Sequence, residues 1–122
     1  MSGVLVDACG WVAVVEAGIN IDLTLADSVG PVDLKVTSRV LDELQRIRKS
    51  GSKSLLLNLL RQRAEVVKGT GEETHTDDEI LNIALARGWP VLTVDKKLKQ
   101  RLSDSGIAFI EVSGISNLRL CE

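Results

Sequence analysis

Apolar positions in this chain fall into short blocks whose spacing alternates between two patterns. Val4-Leu5-Val6 is a continuous apolar run that ends directly in Asp7, and Val91-Leu92-Thr93-Val94 ends the same way in Asp95. Such short runs predict strands. Asp33-Leu34-Lys35-Val36-Thr37 predicts another, and Ile107-Ala108-Phe109-Ile110 a last one. Between them the period lengthens. Trp11 to Ala17 predicts a short helix stopped by Gly18, and Ser38 caps a helix running to about Lys49. A helix from about Ser52 carries Leu55, Leu56, Leu57, Leu59, Leu60, Ala64 and Val67, an apolar arc wider than one contact face needs. That arc is either deeply buried between neighbouring elements or a homodimer interface. Residues 68–75 are polar and glycine-containing and predict a loop. Helices follow from Asp77 to Arg87, stopped by Gly88 and Pro90, and from Lys96 to about Ser103. The tail from Ser113 carries no clear signal.

Strand and helix therefore alternate, which predicts an α/β fold: three layers, α/β/α, around a mostly parallel central sheet. At 122 residues the chain is expected to form a single domain over positions 1–122. No apolar run approaches the roughly 18 residues of a membrane helix, and no secretory signal opens the chain, so the expected location is cytoplasmic with no membrane partner. Cys9 and Cys121 lack zinc-site spacing and are expected as reduced thiols.

The helical projections decide which acids can point inward. Val40, Leu41, Leu44 and Ile47 share a stripe; Glu43 lies at its margin and Asp42 faces away. In the later helix Asp77 lies in the middle of the arc of Ile80, Leu81, Ala84 and Leu85, with Asp78 at the edge and Glu79 opposite. Local explanations exist. Thr76-Asp77-Asp78-Glu79 matches a capping box, and Asp7 and Asp95 could each cap the helix that follows. The set argues for more, because ligands collect beyond the carboxyl ends of parallel strands, where Asp7, Glu43, Asp77 and Asp95 would all converge.

Two carboxylates about 4 Å apart repel by roughly 4 kcal/mol at an effective dielectric near 20, so such a cluster takes up protons or a cation. Hard oxygen donors without partnered histidines or cysteines favour Mg²⁺ or Mn²⁺, and the chemistry implied is phosphodiester hydrolysis. The net charge of −2 argues against a strongly basic nucleic-acid binder. Its distribution matters more: Arg46, Arg48, Lys49 and Lys53, then Arg61, Arg63 and Lys68, then Lys96, Lys97, Lys99 and Arg101 are either solvated helix faces or a phosphate-facing surface around an acidic centre. His75, the one histidine, reads as incidental, and Trp11 and Trp89 as packing residues.

These residues resemble the PIN-domain ribonucleases, VapC-like toxins included. The resemblance rests on Val4-Leu5-Val6-Asp7, Val40-Leu41-Asp42-Glu43-Leu44, Thr76-Asp77-Asp78-Glu79-Ile80-Leu81 with Ala84, and Val91-Leu92-Thr93-Val94-Asp95-Lys96-Lys97-Leu98. It implies a metal site of Asp7, Glu43, Asp77 and Asp95, with Asp78 as an alternate or additional ligand and Thr93 supporting Asp95. It implies an endoribonuclease acting on RNA, either as the toxin partnered by an antitoxin protein or as an RNA-processing enzyme. Two departures stand out. Ala8-Cys9-Gly10 follows Asp7 where the family often has Thr or Ser with Asn, and Val94 stands where many members have Asn. The competing reading is a catalytically inactive PIN-like module that binds RNA or protein. A phosphoacceptor receiver domain is a weaker rival, since no central phosphoacceptor strand is evident.

Overall fold

The computed structural model describes residues 2–16, 32–46, 60, 62–69, 75–113 and 117–121. Its strands are β1 (Ser2–Val6), β2 (Val32–Thr37), β3 (Ala64–Val67), β4 (Val91–Leu92), β5 (Phe109–Ser113) and β6 (Asn117–Cys121). Its helices are α1 (Ala8–Glu16), α2 (Ser38–Arg46), α3 (Thr76–Arg87) and α4 (Lys96–Asp104). The strands form one sheet in the order β3-β2-β1-β4-β5-β6, parallel throughout except for the antiparallel β5–β6 pair. α1 packs with α2, and α3 with α4. With this strand order, the right-handed rule for parallel crossovers puts these pairs on opposite faces, giving a three-layer α/β/α architecture.

The chain leaves β1 toward β2 and β3 on one side and later returns to β4 on the other. The order therefore reverses between β1 and β4, and in open α/β sheets ligands bind beyond the carboxyl ends of the strands at such a point. Val4, Leu5 and Val6 are fully buried, as are Val91 and Leu92, because both strands are covered by helices on both faces. Around them close Trp11 and Val14 of α1, Val40 and Leu44 of α2, Ile80 and Ala84 of α3, and Leu98 and Leu102 of α4. Gly10 lets α1 sit directly on β4: a Cβ there would stand 2.4 Å from the Leu92 carbonyl oxygen. Gly88, at φ 70°, closes α3 in the left-handed conformation, and its N–H donates to the Ala84 carbonyl.

Several expected boundaries move. α1 begins at Ala8, immediately after Asp7, rather than at Trp11. α2 is capped by Thr37 instead of Ser38, since the Thr37 hydroxyl accepts from Val40 N at 3.1 Å. Ala64 and Val67, expected on the leucine-rich helix, lie in β3, where Val66 and Val67 suit a pleated strand beside β2. The rest of that arc, apart from buried Leu60, falls outside the described residues, and so does the dimer face built on it. The strand expected to reach Asp95 pairs only over Val91–Leu92, and the last strand starts at Phe109. α3 is turned relative to its apolar arc. Glu79, expected opposite, is 9% exposed, whereas Leu85 is 53% exposed, because Ile83 rather than Leu85 faces the sheet. Among the described residues no helix is long and apolar enough to cross a membrane.

Candidate active site

Asp7 is the first residue beyond β1, and its N–H donates to the Leu92 carbonyl at 2.9 Å, which locks it to the neighbouring strand β4. The residue is 5% exposed. Burial of that kind needs donors. The Thr93 hydroxyl donates to Asp7 Oδ2 at 2.8 Å and the Cys9 thiol donates to the same oxygen at 2.9 Å. Thr93 Oγ1 also accepts from Asp95 N at 3.1 Å, so one hydroxyl ties the ends of β1 and β4 together. Burial first, and the adjacent Asp7 charge second, push the Cys9 thiol up to about 11, which keeps it protonated as a donor rather than a nucleophile.

Asp95 caps α4. Its Oδ1 accepts from Lys97 N at 2.8 Å and from Leu98 N at 3.2 Å, and among the described residues Oδ2 makes no hydrogen bond. A cap and a ligand can thus share this one carboxylate. The capping box expected at the start of α3 does not form. His75 occupies the N-cap position without a side-chain cap, and the Thr76 hydroxyl instead donates to Glu43 Oε1 across the gap between α3 and α2. Glu79, the box's other member, keeps Oε1 buried with no hydrogen-bond partner among the described residues.

Asp77 carries the electrostatic signature of the site. Burial pushes its carboxyl above the ordinary aspartate range, the charges of Asp7 and Asp95 push the same way, and Glu43 adds to them against the opposing pull of Arg101. Asp7, Glu43 and Asp95, from three other parts of the chain, therefore stand close enough to act on Asp77 near the strand-order reversal. Asp78 stands apart from them: its carboxylate pairs with Arg101 at 2.8 Å. Among the described residues no three His, Cys, Asp or Glu side chains stand at closed metal-site spacing. The donor set nevertheless suits a hard dication, because it consists of carboxylate oxygens, three of whose charges act on Asp77, and among the described residues Asp95 Oδ2 is uncommitted.

Some of these contacts escape a reading of the sequence. Cys9, two residues after Asp7, is a donor to it, and Thr76 orients Glu43. The spacing of Asp7 and Cys9 is the one local signal for the first; the second joins residues 33 positions apart.

A profile of the PIN-like domain matches residues 4–114. The chain belongs to the PIN-like domain family. Among solved structures, that of the PIN domain endonuclease Utp24 superposes with a TM-score of 0.84 at 22% identity, covering 97% of this chain and 90% of that one. At that identity the likeness shows the fold. No curated protein matches the sequence. In this PIN-like domain the acids lie near the strand-order reversal, the kind of place where open α/β sheets bind ligands.

Proposed function

We propose that the chain is a divalent-metal-dependent endoribonuclease that hydrolyses RNA phosphodiesters. The observation that carries this reading is the Asp77 carboxyl, pushed up by burial and by the charges of Asp7, Asp95 and Glu43. Repulsion of that kind is maintained in a fold where a cation relieves it. Asp7, Glu43, Asp77 and Asp95 would hold Mg²⁺ or Mn²⁺, and Asp78 would join them only by giving up Arg101. Such an ion, when bound, offsets charge on a phosphate and orients the attacking water.

The chain's own residues prepare the site. Thr93 and Cys9 fix Asp7 Oδ2, Thr76 fixes Glu43, and the first turn of α4 fixes Asp95 through Oδ1. Lys96 and Lys97, exposed beside Asp95, suit a polyanion. The likeness to a PIN domain endonuclease supports nuclease chemistry. Such an enzyme serves either as the toxin of a toxin–antitoxin pair or in RNA processing, and an antitoxin gene immediately upstream would decide for the first.

The test is cleavage of RNA with Mg²⁺ or Mn²⁺ by wild type, Asp77→Asn and Asp95→Asn. Loss of cutting in both variants with the fold intact supports the mechanism, and undiminished cutting in both rejects it. One observation favours a non-catalytic RNA- or protein-binding module instead, namely that the acids do not already stand at closed metal spacing among the described residues. Calorimetric titration with Mn²⁺ separates the two readings, since the inactive module predicts no acid-dependent uptake of the ion.

A further inference from the structure

A polar cleft of about 430 Å³ adjoins the acids. Arg39, Asp42, Glu43 and Arg46 of α2 line it together with His75 and Thr76 at the start of α3. Positions 39 and 46 are two helical turns apart, roughly 10 Å along the axis, and Glu43 lies between them. Arg46 and His75 are exposed, and Arg39 is half-buried. α3 opens into this cleft without a side-chain cap, because His75 makes no capping bond and the Thr76 hydroxyl is given to Glu43. The first N–H groups of a helix lack intrahelical partners, and together with the dipole they favour an anion. The Thr76–Glu43 bond makes the cleft and the acid set neighbours through shared residues.

We infer that this cleft seats a backbone phosphate of the RNA strand, the one next to the phosphate cleaved at the acids; this rests on the nuclease reading above. The guanidinium fork of Arg46 matches two phosphate oxygens, and the uncapped start of α3 faces the same space. Asp42 and Glu43 limit the site's selectivity in a useful direction. They balance the two guanidinium charges, so a free phosphate ion gains little there, whereas a strand held at several points brings its phosphate in at high effective concentration.

The experiment is fluorescence anisotropy of a labelled single-stranded oligoribonucleotide, titrated with protein in EDTA over a series of NaCl concentrations. Arg46→Gln is expected to weaken binding about threefold to tenfold and to make the slope of log K against log salt shallower by about 0.7, the value of one single-strand phosphate contact. Arg46→Lys is expected to keep the slope. Arg87→Gln, at the far end of α3, leaves both quantities unchanged. Wild-type affinity and slope in Arg46→Gln overturn the inference, as does wild type with no salt-dependent RNA binding. An oligonucleotide with a 5′-hydroxyl and its 5′-phosphorylated twin separate the two sources of phosphate: equal binding supports a backbone site, and an Arg46-dependent preference for the 5′-phosphate overturns it. None of these readouts needs turnover. Binding through Arg46 without any metal-dependent cutting would sink the nuclease reading and leave the cleft as an RNA site.

Discussion

The Thr93 hydroxyl donates to Asp7 Oδ2 at 2.8 Å, joining residues 86 positions apart at the point where the strand order reverses. Because the same oxygen atom of Thr93 accepts from Asp95 N, it sets the distance between two of the four acids. Thr93→Val keeps the shape and the burial but deletes both bonds. Groups that orient a metal ligand are typically worth 10–100-fold in metal affinity or activity. Mn²⁺ affinity measured by calorimetry is therefore expected to fall by about that factor, and wild-type affinity would separate Thr93 from the site.

Asp77 predicts a pH dependence. Its carboxyl titrates higher in the folded protein than in the unfolded chain, through burial and then the charges of Asp7 and Asp95. Between those two values the folded state holds more protons, so stability falls as pH rises through the window and stays lower above it. In metal-free protein Asp77→Asn should accordingly raise the melting temperature at neutral pH and flatten its decline above the ordinary aspartate range. Added Mg²⁺ should stabilise wild type more than the variant. Thermal unfolding across a pH series reads both effects, and a variant less stable than wild type at neutral pH would contradict them.

How far the sequence could be read depends on whether the deciding contacts were local. β1 was legible because it is an apolar run ending in an acid, β4 because Val91-Leu92 opens a short run toward Asp95, and the stop after Arg87 because Gly88 and Pro90 both interrupt a helix. The buried face of α3 was not. Ile80, Leu81, Ile83, Ala84 and Leu85 surround the helix, so periodicity leaves the choice between Ile83 and Leu85 to tertiary packing, and packing chose Ile83. Thr76 followed the same logic: a capping-box pattern supplied a local partner, but its hydroxyl bonds Glu43 in the fold. β6 left a weak trace in the alternation of buried Leu118 and exposed Arg119, which acquires meaning only once β5 is beside it. The nearness of Asp7, Glu43 and Asp95 to Asp77 followed from topology, while the arrangement of Asp78 with Arg101 depended on a contact between two helices.

Asp95 caps α4 and is also a proposed metal ligand, and substitution can separate the two. Its Oδ1 accepts two N–H groups of α4, and asparagine caps helices about as well as aspartate. Asp95→Asn is expected to preserve stability and to lose metal-dependent cleavage. Asp95→Ala should lose both, with an added destabilisation of about 1 kcal/mol from the missing cap. Urea unfolding alongside RNA cleavage distinguishes the variants, and equal stability in both would show that the cap contributes nothing.

Gly10 tests whether the close seating of α1 on β4 supports the site. An added Cβ would meet the Leu92 carbonyl oxygen at 2.4 Å, the carbon at 2.8 Å and the Thr93 Cα at 3.0 Å. All three belong to backbone in the fully buried core and cannot turn aside as a flexible side-chain tip would. Gly10→Ala must push α1 away from β4, and overpacking of this kind typically destabilises by about 1–3 kcal/mol. Helix propensity works in the opposite direction by about 1 kcal/mol, since alanine is the better helix former. The steric term is expected to win, because the contact falls well inside van der Waals distance. The displacement would also carry Cys9 and Asp7 away from Thr93, so Mn²⁺ affinity should fall together with the urea midpoint. A variant as stable as wild type would mean that α1 can shift without strain, and the tight junction would then have no part in holding Asp7.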